Sequence, residues 1–66
     1  MNAYGIIRTK ARMSQADLAE KLQVPTYYIS RIERAENPVP TLHYYENFKR
    51  VFNVTDEDIK AVRAIE

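Results

Sequence analysis

Residues 14–34 read SQADLAEKLQVPTYYISRIER, and this stretch predicts two short helices joined by a tight turn. Ser14 is a preferred N-cap residue, because its hydroxyl can accept a hydrogen bond from a free amide of the first helical turn, so a helix is predicted over Gln15–Leu22. Pro25 has no amide hydrogen, so it stops this helix and is tolerated beside the start of the next one. The second helix is then predicted over Thr26–Arg34, after a turn of about three residues.

The predicted helix Thr26–Arg34 has a narrow apolar side and a polar outer side. Ile29 and Ile32 predict its buried stripe. Hydroxyl, phenol and guanidinium groups, which can contact phosphates and base edges, remain on the outer side. They belong to Thr26, Tyr27, Tyr28, Ser30, Arg31 and Arg34. This layout is typical of a helix-turn-helix that lays its second helix in the major groove of DNA.

Apolar spacing predicts one helix before this stretch and two after it. The first covers about residues 2–12, with Tyr4, Ile7 and Ala11 as its buried stripe. After the third helix, the segment Asn37-Pro38-Val39-Pro40 is a breaker, because proline excludes helical hydrogen bonds and disfavours helical backbone in the residue before it.

Caps define the two C-terminal helices. Thr41 opens the fourth, and Thr55 with Asp58 forms a capping box at the start of the fifth. The predicted apolar positions are Leu42, Tyr45, Phe48 and Phe52 in the fourth helix and Ile59, Val62 and Ile65 in the fifth. Nothing alternates with a period of two for long enough to predict a sheet, so the expected class is all-α with five helices.

Length and composition restrict the possible functions. A chain of 66 residues predicts a single domain over residues 1–66, with the helix-turn-helix at about residues 14–35. With no Cys and one His, the sequence predicts no disulfide, no thiolate nucleophile, no Cys/His zinc site and no cofactor. It has no apolar run long enough to span a bilayer and no signal-peptide pattern, so we expect a cytoplasmic protein of a bacterium or a phage-infected host.

Charge is unevenly distributed although the net charge is only +1. Residues 1–34 hold six basic and three acidic side chains, whereas residues 35–66 hold four basic and six acidic ones. The N-terminal half, at +3, is therefore the expected face for a polyanion, and the C-terminal half, at −2, is not.

The chain resembles the Cro/C1-type (Xre) family of phage and bacterial repressors. The resemblance rests on SQADLAEKL at 14–22 and ISRIER at 29–34, with further matches at Val24 and at Asn37-Pro38. It extends upstream to Ile7-Arg8 and downstream to Phe52-Asn53-Val54-Thr55, and so covers nearly the whole chain. It implies a five-helix, lambda-repressor-like domain that binds double-stranded operator DNA and represses transcription.

The resemblance implies roles for individual residues. Base reading falls on Thr26, Tyr27 and Arg31, and Arg31 has the planar fork that suits O6 and N7 of a guanine. Gln15 is implied to meet the DNA backbone and to brace Thr26. The implied backbone contacts are Ser14, Gln15, Tyr28, Ser30 and Arg34.

Two structural features are also implied by the resemblance. Arg8 and Glu33 match a pair that the family uses as an internal ion pair between its first and third helices. The family tends to place Gly where Arg12, Gln23 and Ala35 stand, because these positions tend to need left-handed backbone.

We expect a homodimer on a palindromic site, because one recognition helix covers only a few base pairs and two half-sites about one helical turn apart give specific affinity. The dimer candidates are Val39, Val62 and Ile65, which are apolar residues of the loop after the third helix and of the final helix. With no ligand-sensing domain expected, regulation would depend on concentration, cooperative DNA binding or a protein modulator.

Other readings of the same residues stay open. Tyr27 and Tyr28 are also suited to a protein-binding patch, and Arg31 and Arg34 to a solvated surface. The rival function is an antitoxin or a protein-interaction module that keeps the helix-turn-helix scaffold. An enzyme is disfavoured, because His43 has no evident nucleophile or carboxylate at a catalytic spacing and the chain has no Gly-rich phosphate loop.

Overall fold

The computed structural model describes the backbone of residues 2–65 and the side chains of residues 2–62. This part of the chain contains five α-helices and no strand, so the predicted all-α class is confirmed. The helices are α1 (Ala3–Lys10), α2 (Gln15–Leu22), α3 (Thr26–Arg34), α4 (Leu42–Phe52) and α5 (Asp56–Ile65).

The helices begin where side chains can accept hydrogen bonds from free amides. Ser14 Oγ accepts from the Asp17 amide at 3.0 Å, and Thr41 Oγ1 accepts from the Tyr44 amide at 3.1 Å. Thr55 and Asp58 form the predicted capping box: the Asp58 amide donates to Thr55 Oγ1 at 3.1 Å, and the Thr55 amide donates to Asp58 Oδ2 at 2.9 Å. The predicted starts of α2, α4 and α5 are thus confirmed.

One continuous apolar core joins all five helices. Its most completely buried large side chains are Leu18, Ile29, Tyr44 and Phe48. The Tyr4 ring meets the Phe48 ring edge to face, with centroids 5.1 Å apart. The other buried core residues are Ala3, Ala19, Leu22, Ile32 and Ile59. Half-buried apolar side chains, Val62 of α5 among them, pack around this core.

The predicted stripe of α4 is wrong in part. Leu42 is 74% exposed and Tyr45 is half-buried, whereas Tyr44, which was not predicted, is only 2% exposed. Of the predicted positions, Phe48 is fully buried and Phe52 is partly buried. Tyr44 lies four residues before Phe48 and shares its face of the helix, so Tyr44 rather than Tyr45 points into the core.

The first helix also differs from its prediction. It ends at Lys10, so Ala11 lies beyond it as the C-cap residue and is exposed. Tyr4 is buried as predicted, Ala3 beside it is buried as well, and Ile7 is half-buried against the core.

Among residues 2–65, three residues other than glycine have left-handed backbone. Arg12 and Gln23, two of the positions for which this was expected, have φ of 59° and 56°. Asn53, which was not singled out, has φ of 54° at the end of α4. Ala35 was expected to be left-handed and is not: its φ of −70° and ψ of 140° lead α3 into the extended segment that follows.

Candidate nucleic-acid interface

The outer face of α3 is turned to solvent as the sequence predicts. Ile29 is fully buried and Ile32 is 7% exposed, so these two side chains fix the rotation of the helix. On the opposite side, Tyr27 is 64% exposed, and Arg31 and Arg34 are exposed. Spacings of four and three residues place these three on one face of the helix.

The two remaining small polar residues of α3 lie beside this exposed row. Thr26 is exposed at the first turn, and Ser30 is half-buried. Pro25 occupies the N-cap position with φ of −64° and accepts a hydrogen bond from the Tyr28 amide through its carbonyl, at 3.0 Å. The helix therefore begins at Thr26 without a side-chain cap, in the register that the sequence predicts.

Tyr28 was predicted to face outward, and it does not. Its side chain is half-buried, with its ring edge-on to Tyr44 and centroids 5.3 Å apart. Its hydroxyl accepts a hydrogen bond from the Thr41 amide at 3.4 Å. Because Tyr28 is one residue from Tyr27, it lies about 100° around the helix and reaches the edge of the core. It joins α3 to the start of α4.

The start of α2 lies next to the end of α3. Ser14 is exposed and caps α2, and Gln15 is half-buried. Gln15 Nε2 donates to Glu33 Oε1 at 3.1 Å. The expected brace from Gln15 to Thr26 is not among the hydrogen bonds of the described residues, since the Gln15 amide is directed at the end of α3. Gln15 shares an open cleft of about 370 Å³ with Arg8, Glu33 and Arg34.

The predicted pairing of Arg8 with Glu33 is confirmed. The Arg8 guanidinium donates to both carboxylate oxygens, from Nε to Oε2 at 2.6 Å and from Nη2 to Oε1 at 3.0 Å. Its Nη1 donates to the carbonyl of Met13 at 2.7 Å. The hydrogen bond to Glu33 raises the pKa of Arg8 above its ordinary value. One side chain of α1 thereby holds both the turn before α2 and the end of α3.

Asn2 is a second connection to α3 that the sequence analysis did not identify. Its Oδ1 caps α1, and its Nδ2 donates to the carbonyls of Ile32 at 2.6 Å and of Ala35 at 3.0 Å. These carbonyls lie at the end of α3 and have no partner in a following turn. An Asn just before a helix was the available signal, but it indicated only the cap and not the distant contact.

Electrostatics favour an anion on this face. The exposed row of α3 carries the guanidinium groups of Arg31 and Arg34, and the one carboxylate of the helix, Glu33, is 5% exposed and paired. The positive charge of the row is therefore not cancelled at the surface by a carboxylate of the same helix.

The dimer candidates lie in different surroundings. Val39 is 89% exposed in the segment between α3 and α4, whereas Val62 is half-buried against the core. The side chain of Ile65 lies outside the described residues.

The sequence contains one His, His43. His43 is exposed, and its Nε2 lies 3.0 Å from Nδ2 of Asn47. Among the described side chains, no group of three or more His, Cys, Asp or Glu is placed to hold a metal ion. Within the same part of the chain, none of the helices has the length and hydrophobicity to cross a membrane.

Comparison with known proteins agrees with this geometry. A family model described as a helix-turn-helix domain matches residues 6–62, from within α1 to within α5. No curated protein and no solved structure gives a significant match to the chain.

Proposed function

Because the chain belongs to the helix-turn-helix domain family, we propose that it is a transcriptional regulator, a repressor of the Cro/C1 (Xre) type from a phage or a bacterium. It would read operator DNA by laying α3 in the major groove. One observation carries the proposal: the burial of Ile29 and Ile32 leaves Tyr27, Arg31 and Arg34 exposed on one side of α3.

Base reading is assigned to Thr26, Tyr27 and Arg31. The N-terminal residues of a recognition helix contact base edges, and Thr26 and Tyr27 are the first two residues of α3. Their hydroxyl and apolar surfaces suit adenine edges and thymine methyl groups. Arg31, one turn further along, can present two parallel donors to a guanine, which discriminates by about 1–3 kcal/mol against the wrong base.

Contacts to the sugar-phosphate backbone are assigned to the edges of this face. Ser14 and Gln15 stand at the N-terminus of α2, where free amides and the helix dipole favour phosphate. Arg34 lines the same cleft as Gln15 and supplies a guanidinium to it. Ser30 and the half-buried Tyr28 complete the predicted backbone set.

The active species would be a homodimer on a palindromic operator, because α3 alone is nine residues long and spans only a few base pairs. We place the dimer surface on the C-terminal helix α5, where Val62 keeps part of its side chain exposed and Ile65 follows three residues later. Cooperative binding of two protomers to the two half-sites would then determine how occupancy of the operator depends on the concentration of the regulator.

Selection of bound sequences from a pool of random duplexes tests this proposal with the chain as it is. We expect enrichment of an inverted repeat whose half-sites are about one helical turn apart, and affinity that falls steeply with salt. The same sequences offered as single strands are the control and should bind weakly. Absence of any enriched duplex, or affinity that does not depend on salt, would contradict the proposal.

A further inference from the structure

A second groove borders α3 and shares Arg34 with the Gln15 cleft. It has a volume of about 420 Å³ and runs between α3 and the segment of residues 35–40. Ile32 contributes to its helix wall together with Arg31 and Arg34, and Val39 contributes to its loop wall. Because Arg31 and Arg34 also belong to the exposed row of α3, this groove adjoins the candidate DNA face.

The two walls of this groove differ in chemistry. The helix wall carries two guanidinium groups, those of Arg31 and Arg34. The loop wall is formed by Asn37, Pro38 and Val39, and Val39 is 89% exposed. The sequence has no Lys or Arg from residue 35 to residue 48, and the charged residue among residues 35–40 is an acid, Glu36. The groove is cationic on one side and apolar on the other.

This combination disfavours the DNA backbone as the occupant. A phosphate strand is charged along its length, and protein surfaces that contact it gain affinity by placing cations along it. The loop wall, formed by Asn37, Pro38 and Val39, offers none. An exposed apolar side chain such as Val39 gains free energy when it is covered by apolar surface, which a phosphodiester does not supply.

The backbone of the loop wall suits a polypeptide. Ala35 is extended, and no helix or strand is assigned to residues 35–41. Within the described part of the chain, the amides of Glu36, Asn37 and Val39 donate no hydrogen bond to another protein group. An extended segment with available amides and carbonyls can pair with an extended peptide, whose backbone offers both donors and acceptors.

We propose that this groove binds an acidic peptide segment of a partner protein. An apolar side chain of the peptide would pack on Val39 and Ile32, and neighbouring carboxylates would pair with Arg31 and Arg34. If these two arginines also bind DNA, as the proposed function has it, peptide and operator compete for the same guanidinium groups. The partner would then release the regulator from DNA.

Selection from a displayed library of random peptides of about ten residues, with the intact chain as bait, tests the groove directly. The variant Val39→Asp places a carboxylate in the loop wall at a side chain that is 89% exposed, so the fold should be unaffected. The matched control is Leu42→Asp, an apolar residue that is 74% exposed and is not part of the groove lining. Unchanged thermal unfolding of both variants establishes that binding, not folding, is compared.

We expect enriched peptides that combine acidic residues with a bulky apolar residue. Their affinity should fall by about tenfold or more in Val39→Asp, through like-charge repulsion, and should be unchanged in Leu42→Asp. Arg31→Gln should also lower the affinity of the peptides for the chain. Enrichment of peptides without acidic residues, no enrichment at all, or equal binding to both Asp variants would overturn the proposal.

Two further outcomes would assign the groove to another occupant and so also overturn the proposal. If Val39→Asp weakens binding to random duplex DNA and no peptide is enriched, the groove holds the DNA backbone. If Val39→Asp abolishes self-association in sedimentation experiments, the occupant is a second copy of the chain. Peptide binding is measured without DNA, so a failure of the proposed function would show as absent duplex selection while the peptide result stands.

Discussion

The carboxylate of Glu33 receives two hydrogen bonds from the guanidinium of Arg8, at 2.6 and 3.0 Å, and both side chains are largely excluded from solvent, at 5% and 12% exposure. This pair joins α1 to the end of α3. Since Glu33 also accepts from Gln15, the carboxylate connects the first helix, the start of α2 and the candidate recognition helix. The orientation of α3 in the fold therefore depends on a contact made at its buried side.

Removing one partner of this pair should lower the free energy of unfolding. Arg8→Met leaves the Glu33 carboxylate buried with Gln15 as its remaining donor, and we expect a loss of about 3–5 kcal/mol in the free energy of unfolding. Urea unfolding followed by circular dichroism measures it. The double variant Arg8→Met/Glu33→Leu removes both charges and should recover most of this loss. A loss below about 1 kcal/mol for Arg8→Met would contradict the role of the pair.

The stability of the fold should depend on pH through the contact between α4 and α5. The Tyr45 hydroxyl donates to Asp56 Oδ1, and Lys49 Nζ donates to the same oxygen at 3.1 Å. The hydrogen bond from Tyr45 and then that from Lys49 lower the pKa of Asp56 below its ordinary 3.8, while the hydrogen bond to Asp56 raises the pKa of Tyr45 to about 12. Asp56 thus stabilises the fold above pH 3.8, and this contribution is lost as the pH falls through the lowered pKa.

Tyr45 accounts for the alkaline limb of the dependence of stability on pH. Its contribution is fully present below the ordinary tyrosine pKa of 10.0 and is lost as the pH rises through about 12. The variant Asp56→Asn should flatten both limbs in a plot of urea midpoint against pH. Glu57→Gln, at the exposed neighbouring position, is the control and should leave the alkaline limb unchanged. An alkaline limb that persists in Asp56→Asn would show that Tyr45 and Asp56 are not coupled.

The helices that sequence reasoning placed best are those with chemical signals at both ends. Ser14 and Pro25 delimit α2 and the start of α3, and both helices have the predicted bounds. Those signals act locally, through a side-chain hydrogen bond and a missing amide, so they do not depend on the rest of the fold.

Rotation about a helix axis was harder to predict where two aromatic residues adjoin. In the pair Tyr27-Tyr28 both were expected to face outward, and in the pair Tyr44-Tyr45 the second was expected in the core. Tyr44 and Tyr45 lie four and three residues before Phe48, so the period alone does not decide between them. Tyr28 lies four residues before Ile32, a spacing that indicated the buried side and that the prediction did not use. Packing decides: Tyr28 and Tyr44 meet each other between α3 and α4, which only the assembled fold determines.

The buried hydroxyl of Tyr44 should destabilise the fold, and a substitution can test this. Its hydroxyl is buried and has no hydrogen-bond partner among the described residues, and burial raises the pKa of this phenol. Tyr44→Phe removes the unpaired polar group and keeps the ring, so we expect stabilisation by about 1–2 kcal/mol. Tyr28→Phe is the matched control, because it removes a hydroxyl that accepts from the Thr41 amide, and should not stabilise. Destabilisation by Tyr44→Phe in thermal unfolding would mean that the hydroxyl has a partner.

Glycine should have opposite effects at the ends of α2 and α3. Gln23 has left-handed backbone with φ of 56°, which costs free energy for any residue with a Cβ atom, so Gln23→Gly should stabilise by about 1 kcal/mol. Ala35 has φ of −70°, where glycine only adds freedom to the unfolded chain, so Ala35→Gly should destabilise by about 0.4–1 kcal/mol. The comparison of the two midpoints in urea is the measurement. Equal signs for the two substitutions would contradict the backbone assignment.

Substituting a base-reading residue and substituting a backbone-contacting residue should affect DNA affinity in different ways. Arg31 is exposed and makes no ion pair among the described residues, so Arg31→Ala should leave the melting temperature unchanged and reduce affinity for the selected operator by about 1–3 kcal/mol. Because a lost base contact affects one sequence position, affinity for random duplexes should fall much less. Gln15→Ala, at the start of α2, should instead weaken operator and random duplexes by similar factors. Titration of both variants against both DNAs at fixed salt makes the comparison, and equal losses on the two DNAs for Arg31→Ala would remove Arg31 from the base-reading set.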